Sequence, residues 1–378
     1  MKKITIWASL FLGLSLFTAC EDDRDSNPIL QDPTAFVLNT PAYSTAVYDL
    51  SKSSSVELTC SQPDYGFTAA TVYTVQVSLN NDFTTEGTYT TLATTYTTAK
   101  MNVDASEIAT AATTMALANG KTEDEFPIVT KMYVRLKAAL TTGTGEIYSN
   151  VVELQNVRVH FALSPVVLPK TMNIIGSGVG GWDWEKNAIA MIPTYDNNGT
   201  FWRMIYVSAD NTDKYELKFN IEKAWDGVEF GTTATLKDNA EAGLSGDGNI
   251  VVANAGWYLV VVKAEIVGRN IVYTVEFNKP EVYLTGDTAG GWDFFDETNK
   301  FTVPADGEGF FTSIPLVATG EVRMCVKLKD VDWWKTEFIV LADGLISYRG
   351  TGGDQDKFTG SAGQKAYLNF MTGEGKYE

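Results

Sequence analysis

The sequence predicts an all-β chain of three tandem β-sandwich domains, and three observations carry the prediction. Threonine, valine and tyrosine are abundant while long helical patterns are scarce. Turn residues recur roughly every ten positions, the spacing of short strands in sandwiches. One phrase also occurs twice, as Gly176-Ser-Gly-Val-Gly-Gly-Trp-Asp-Trp184 and Gly286-Asp-Thr-Ala-Gly-Gly-Trp-Asp-Phe294, an offset of 110 residues that marks a duplicated module.

The chain starts with a segment that lies outside this fold. Lys2 and Lys3 precede the apolar run from Ile4 to Phe17, and small residues lead into Cys20. Residues 1–20 therefore read as a lipoprotein signal peptide, with Cys20 as the lipidated residue of the mature N-terminus. An ordinary secretory signal ending near a cysteine is the alternative, and Phe17, where leucine is usual, is a mild departure. Residues 21–27 begin Glu21-Asp-Asp-Arg-Asp25, an acidic tether with nothing to bury. No later segment approaches the ~20 apolar residues of a membrane helix, so membrane attachment rests on the lipid.

Removing Lys2 and Lys3 from the 29 basic residues leaves 27 against 47 acidic ones, a mature charge of −20. Such a surface repels polyanions, which argues against nucleic acid and acidic polysaccharide and favours a neutral partner. His160 is the one histidine and no CxxC occurs, so no histidine-based metal centre or catalytic triad is expected, and no cofactor. Cys60 and Cys325 fall within strand-like runs of different domains and read as buried thiols.

The first domain spans residues 28–160. Val56-Glu-Leu-Thr-Cys60, Tyr73-Thr-Val-Gln-Val-Ser-Leu79 and Met132-Tyr-Val-Arg-Leu-Lys-Ala138 alternate with period two, and Val151 to Val159 supplies a closing strand. Asp104 and Glu107 form a capping pair ahead of an alanine-rich helix running to Leu117. About seven strands over this length fit an immunoglobulin-like sandwich.

The repeats occupy residues 163–278 and 279–378. Pro165, Pro169 and Lys279-Pro280 mark short, stiff joints that limit how far neighbours can swing. Within the first repeat, Asp196-Asn-Asn-Gly199 reads as a hairpin turn; its likeness to a calcium loop is superficial, since the remaining ligand positions are missing. Each repeat continues with a lysine seven residues before a tryptophan, in Leu217-Lys-Phe-Asn-Ile-Glu-Lys-Ala-Trp225 and Val326-Lys-Leu-Lys-Asp-Val-Asp-Trp-Trp334. Further on, Gly246-Asp247 answers Gly353-Asp354, and Ala255-Gly-Trp-Tyr-Leu259 answers Ala362-Gly-Gln-Lys-Ala-Tyr-Leu368.

These residues carry a family resemblance. Phe36-Val-Leu-Asn-Thr-Pro41, Tyr73-Thr-Val-Gln-Val-Ser78, Tyr133-Val-Arg-Leu-Lys-Ala138 and Ile147-Tyr-Ser-Asn150 resemble the N-terminal domain of the SusE/SusF lipoproteins. The repeats, with their Gly-Trp-Asp and Lys-Phe…Trp elements, are similar to the starch-binding modules of that family. Two repeats resemble the SusE arrangement more than that of SusF, which has three. The acidic tether resembles the signal that follows the lipid cysteine in many Bacteroidetes lipoproteins. The resemblance implies a lipid-anchored protein on the exterior of the outer membrane, holding α-glucan without cleaving it beside a TonB-dependent transporter and its SusD-like partner. Binding of a different neutral glycan, or a structural role docking outer-membrane neighbours, are the alternatives.

A glucan site combines aromatic faces for the C–H patches of the sugar ring with fixed polar groups for its hydroxyls. In the first repeat, Trp182 and Trp225 are the candidate platforms and Lys218 the donor. Lys218 lies between Leu217 and Phe219 and turns away from the core if they face in. Trp182 reads equally well as a core ring closing its glycine loop. In the second repeat the candidates are Trp292, Trp334 and Lys327, with Trp333 adjacent to Trp334, one of that pair facing in and the other out. Arg323 shares the Lys327 face by parity, and Lys335 and Arg349 lie on turn-like segments; this richer set predicts the tighter site. Trp184, Trp202 and Trp257 are assigned to the core. The only acids that recur in both repeats, Asp183/Asp293 and Asp247/Asp354, sit beside glycine-rich turns, where aspartate is favoured for backbone reasons, so hydrolase activity is not expected.

Overall fold

The computed structural model describes residues 29–196, 198–208, 215–293 and 295–378; the expected lipidation site Cys20 and the tether at 21–27 lie outside the described residues. The chain divides into two compact units with the boundary after Pro165.

In the first unit, one sheet runs in the order Val47–Asp49, Val152–Val159, Ile128–Leu140, Thr71–Ser78, Tyr89–Tyr96, with Ile147–Tyr148 pairing to the long third strand. Its period-two pattern buries Met132, Val134, Leu136 and Ala138 on one face. A second ladder, Ser55–Thr59 with Lys100–Asp104, and the helix Ala105–Ala118 close the other side of the core. Asp104 caps that helix, its Oδ1 accepting from the backbone N–H groups of Ser106 and Glu107 at 2.7 and 3.1 Å. Glu107 does not reach back to complete a capping box. The strand Tyr89–Tyr96 is a sheet edge beside the first helical turn, and Glu107 accepts from the N–H groups of Ala93 and Thr94 there. Sequence spacing cannot register a partner that arrives from another element.

The second unit contains both repeats. In the first, Ile189–Ala190, Asn173–Ile175, Tyr215–Asn220, Ile250–Val252 and Leu244–Ser245 form one five-stranded sheet. Ile192–Pro193, Thr200–Val207, Gly256–Val267, Asn270–Asn278 and Thr235–Asp238 form the facing one. Phe201, Ile205, Val207, Tyr258, Val260 and Val262 fill the space between them with Ile174, Leu217, Phe219 and Ile250. In the second repeat, Val282–Thr285, Arg323–Val326, Glu337–Val340 and Ile346–Tyr348 pair in that order, opposite Phe311–Thr312, Ala366–Asn369 and Glu374–Tyr377.

The repeats are not separate bodies on a stiff joint. The alternate residues of Thr200–Val207 and Gly256–Val267, namely Trp202, Met204, Trp257, Leu259 and Val261, belong to the same apolar cluster as Leu284, Met324, Phe338, Phe311 and Leu368 of the second repeat. These two strands are therefore buried on both faces, which accounts for the near-continuous apolar run Trp257 to Val262 where a half-exposed strand would alternate. Trp202 lies edge-on to Tyr348 at 5.6 Å, Trp257 edge-on to Phe311 at 4.9 Å, and the Trp257 Nε1–H donates to the carbonyl of Asp306 at 2.9 Å. Cys60 and Cys325 are buried free thiols.

Candidate functional site

The duplicated glycine phrase builds the same turn twice. Gly176 and Gly181 exchange two backbone hydrogen bonds around the short 3-10 turn Ser177–Val179, and Gly286 and Gly291 do so around Asp287–Ala289. Gly176 has φ +144°, and a Cβ there would lie 2.0 Å from the carbonyl oxygen of Glu216 on the adjacent strand. Only glycine allows both the conformation and the approach. The turn delivers Trp182 in one repeat and Trp292 in the other at the end of the first strand.

The second aromatic group arrives from a different loop in each repeat. Trp225 follows the strand Tyr215–Asn220 and is 52% exposed; its ring centre is 6.0 Å from that of Trp182, with the planes 39° apart. Trp333 opens the 3-10 turn Trp333–Thr336, with its ring 5.7 Å from that of Trp292 and the planes 38° apart; Trp292 is 47% exposed. The two repeats thus present indole pairs of similar separation and inclination, with the exposed ring on the second loop in one and on the glycine turn in the other. Behind the first pair, the buried Trp184 packs on Trp225 at 5.2 Å.

The loop bearing Trp225 is fastened by residues that the sequence gives no reason to select. Asn220 is fully buried, and its Nδ2 donates to the Ala224 carbonyl and to Asp226 Oδ1, both at 2.9 Å. Asp226 Oδ1 also accepts from the Val228 N–H at 3.2 Å. These hydrogen bonds, that from Asn220 foremost, hold the Asp226 carboxyl below the ordinary aspartate range. Beside Trp182, Asn187 donates to the Gly180 carbonyl at 3.0 Å. Their only local trace in sequence is an asparagine at the end of a strand pattern and an Asp-Gly pair, both common to ordinary turns.

The candidate cations fall into different environments. Leu217 and Phe219 are fully buried, so Lys218 projects from the opposite face of its strand, and it makes no ion pair among the described residues. Lys327 Nζ donates to the carbonyl of Val331 at 3.0 Å and lies 5.1 Å from the Phe295 ring centre. Arg323 shares the Lys327 parity but is not open to solvent: it is 9% exposed, with Nη1 at 2.5 Å from Glu337, and it also faces Glu321 and Asp354. Arg349 meets the same buried Glu337 at 3.3 Å. Burying one carboxylate requires this double compensation.

Trp334, the residue matched to Trp225 by simple offset, points to the junction of the repeats. Its ring centre is 5.2 Å from that of Tyr195, with the Arg349 guanidinium 5.0 Å and the Lys335 ammonium 5.2 Å away. The Tyr195 N–H donates to the Lys335 carbonyl at 3.0 Å, and Lys335 faces Asp196 at 3.8 Å. The expectation that Trp333 and Trp334 diverge as strand neighbours is corrected in its reason: they lie on a 3-10 turn, where successive side chains are spread by about a third of a turn. The structure therefore brings together Trp182 with Trp225 and Trp292 with Trp333, and gathers Arg323, Trp334, Lys335 and Arg349 elsewhere. Trp202 and Trp257 are core residues.

One acid of each recurring pair, Asp183 and Asp354, has structural partners. Asp183 accepts from the Glu185 N–H and pairs with Lys186 at 2.7 Å, and Asp354 lies near Arg323, Arg349 and Lys357. Among the described residues no group of His, Cys, Asp and Glu could hold a metal ion.

Comparison with known proteins matches these elements to one group. The family model for SusF/SusE starch-specific carbohydrate-binding modules matches residues 171–274 and again 281–376, and that for the SusE outer membrane protein matches residues 22–137. The outer membrane protein SusF of Bacteroides thetaiotaomicron is 44% identical over 197 residues, which is 50% of this chain and 39% of that protein. The crystal structure of SusF from the same organism aligns over 91% of this chain and 100% of its own, at 23% identity and a TM-score of 0.49.

Proposed function

Because the chain belongs to the family of SusF/SusE starch-specific carbohydrate-binding modules, with a SusE-type outer-membrane domain at its N-terminus, we propose that it binds starch or maltooligosaccharides through its two repeats and does not cleave them. One observation supports this above the others: each repeat presents an inclined indole pair with an exposed member, Trp225 or Trp292, at matching separation and angle. The C–H faces of successive glucose units in a curved α-glucan pack against two rings that are tilted and not coplanar. Lys218 and Lys327 supply donors for sugar hydroxyls at the flanks. The hydrogen bonds and ion pairs of Asp183 and Asp354 give these recurring acids stabilising roles, which supports holding without hydrolysis.

On this reading the protein is lipid-anchored through Cys20 on the cell exterior and hands polysaccharide to a TonB-dependent transporter and a SusD-like partner. The test is calorimetric titration of the purified protein with maltoheptaose, together with a reducing-sugar assay on prolonged incubation. Heat of binding without release of reducing ends is expected. Absence of binding to maltoheptaose and starch would refute the ligand assignment, and release of reducing ends would refute the non-catalytic one.

A further inference from the structure

A cleft of about 510 Å³ is lined by residues of both repeats and by none of the paired tryptophans. Its walls carry Lys237, Lys263, Lys279, Lys327 and Lys329, against only two carboxylates, Glu276 and Glu281. In a chain with 47 acidic and 29 basic residues, this concentration of ammonium groups reverses the local charge. The carboxylates do not cancel it. Glu276 is clamped by Lys237 and Lys263, each at 3.1 Å, and Glu281 accepts from the Tyr283 hydroxyl and faces Lys300, so its charge is shared with a cation outside the cleft. Lys279 and Lys329 have no acidic partner among the described residues.

The lining also differs in kind from the tryptophan sites. Leu259, Val261 and Leu328 form an apolar floor, Asn239 and Asn278 add amide groups, and no aromatic ring is present to stack on a neutral sugar. A space of this size with three uncompensated positive charges suits a compact, multiply charged oxyanion with several acceptor oxygens, which is the chemistry of a phosphate ester and not of a single carboxylate.

We propose that this cleft is a binding site for phosphate esters, carried either by a soluble sugar phosphate or by a phospholipid headgroup of the outer membrane. The unpartnered Lys279 and Lys329 are the principal anchors, while Lys237 and Lys263, already held by Glu276, contribute a fixed positive wall. The cleft shares only Lys327 with the proposed glucan sites, and Lys279 and Lys329 take no part in them, so replacing those two tests anion binding apart from glucan binding.

Calorimetric titration with inorganic pyrophosphate tests for the site, followed by glucose 1-phosphate and dihexanoyl phosphatidylglycerol to distinguish the sources. Saturable binding that weakens with added salt is expected, and the Lys279→Gln/Lys329→Gln double variant should bind about tenfold more weakly. Stronger binding of glucose 1-phosphate assigns a soluble ester, and stronger binding of the lipid assigns a headgroup. Retained maltoheptaose binding and an unchanged thermal midpoint would show that the double variant is folded. Failure of the wild type to bind any of the three anions, or equal pyrophosphate affinity in the double variant, would overturn the proposal.

Discussion

Trp333 faces Trp292 across 5.7 Å at an inclination of 38°, repeating to within a few tenths of an ångström and one degree the relation of Trp225 to Trp182. Trp334, one residue on, packs against Tyr195 of the other repeat instead. Two adjacent tryptophans therefore have different partners, one in the indole pair and one at the junction. Replacement separates them. Trp225→Ala and Trp333→Ala should each remove most of the maltoheptaose affinity of one module, about 2 kcal/mol or ~30-fold for a central aromatic contact. Trp334→Ala should leave that affinity within about threefold and lower the thermal midpoint instead. Titration of the three variants beside the wild type checks this, and equal losses in Trp333→Ala and Trp334→Ala would show that the indole pair is not the unit of recognition.

The Trp225 loop also predicts a pH dependence. Asp226 accepts hydrogen bonds from Asn220 and Val228 as a carboxylate, and its folded pKa lies below the ordinary aspartate value. A depressed carboxyl stabilises the fold above its unfolded pKa, near ~4, and that contribution is lost as pH falls through the folded value. Maltoheptaose binding by the first module should therefore hold steady from neutral pH to about 4 and weaken below it. An Asp226→Ala variant should bind more weakly at neutral pH and lack the acid-side step. Titration of tryptophan fluorescence with ligand at a series of pH values reads both, and identical profiles for the two proteins would contradict the role given to Asp226.

Gly176 and Gly227 form a matched pair for testing the turn. Both have positive φ, but a Cβ at Gly176 meets the Glu216 carbonyl at 2.0 Å while one at Gly227 meets nothing within 4 Å. Gly176→Ala should cost about 2 kcal/mol or more and displace Trp182, whereas Gly227→Ala should cost about 1 kcal/mol, the conformational part alone. Chemical denaturation of the two variants measures the difference.

What could be read from sequence followed the range of the interactions involved. The all-β class, the helix cap at Asp104 and the outward face of Lys218 are set by neighbours a few residues away, and the structure realises each of them. A constant offset matches Trp225 to Trp334, but the segment is one residue shorter in the second repeat, and only the placement of Trp333 beside Trp292 reveals the shift. Parity correctly gave Arg323 and Lys327 the same side, yet parity cannot tell open solvent from a pocket holding Glu337, which comes from the neighbouring strand. Asn220 and Asp226 were invisible for the same reason as the Glu107 contacts: their importance lies in which backbone groups happen to be unpaired nearby.

The same distinction applies to the joint between repeats, where Lys279-Pro280 suggested a hinge of limited swing but the decisive residues are Trp202 and Trp257. Trp202 is fully buried against Phe338 and Tyr348, and Trp257 against Phe311, so each repeat supplies part of the other's core. Trp202→Ala should destabilise by about 3–5 kcal/mol, the usual cost of emptying a large aromatic site. Because the cavity would open onto both repeats, calorimetric unfolding of the second unit should remain a single transition that moves to lower temperature as a whole. Separate hinged domains would instead show one transition displaced and another unmoved. A single cooperative unit also fixes the distance between the two tryptophan pairs, so a glucan chain long enough to reach both gains avidity without an ordering cost in the joint. Binding of long maltooligosaccharides should accordingly exceed that of maltoheptaose, and the excess should vanish in either Trp225→Ala or Trp333→Ala alone.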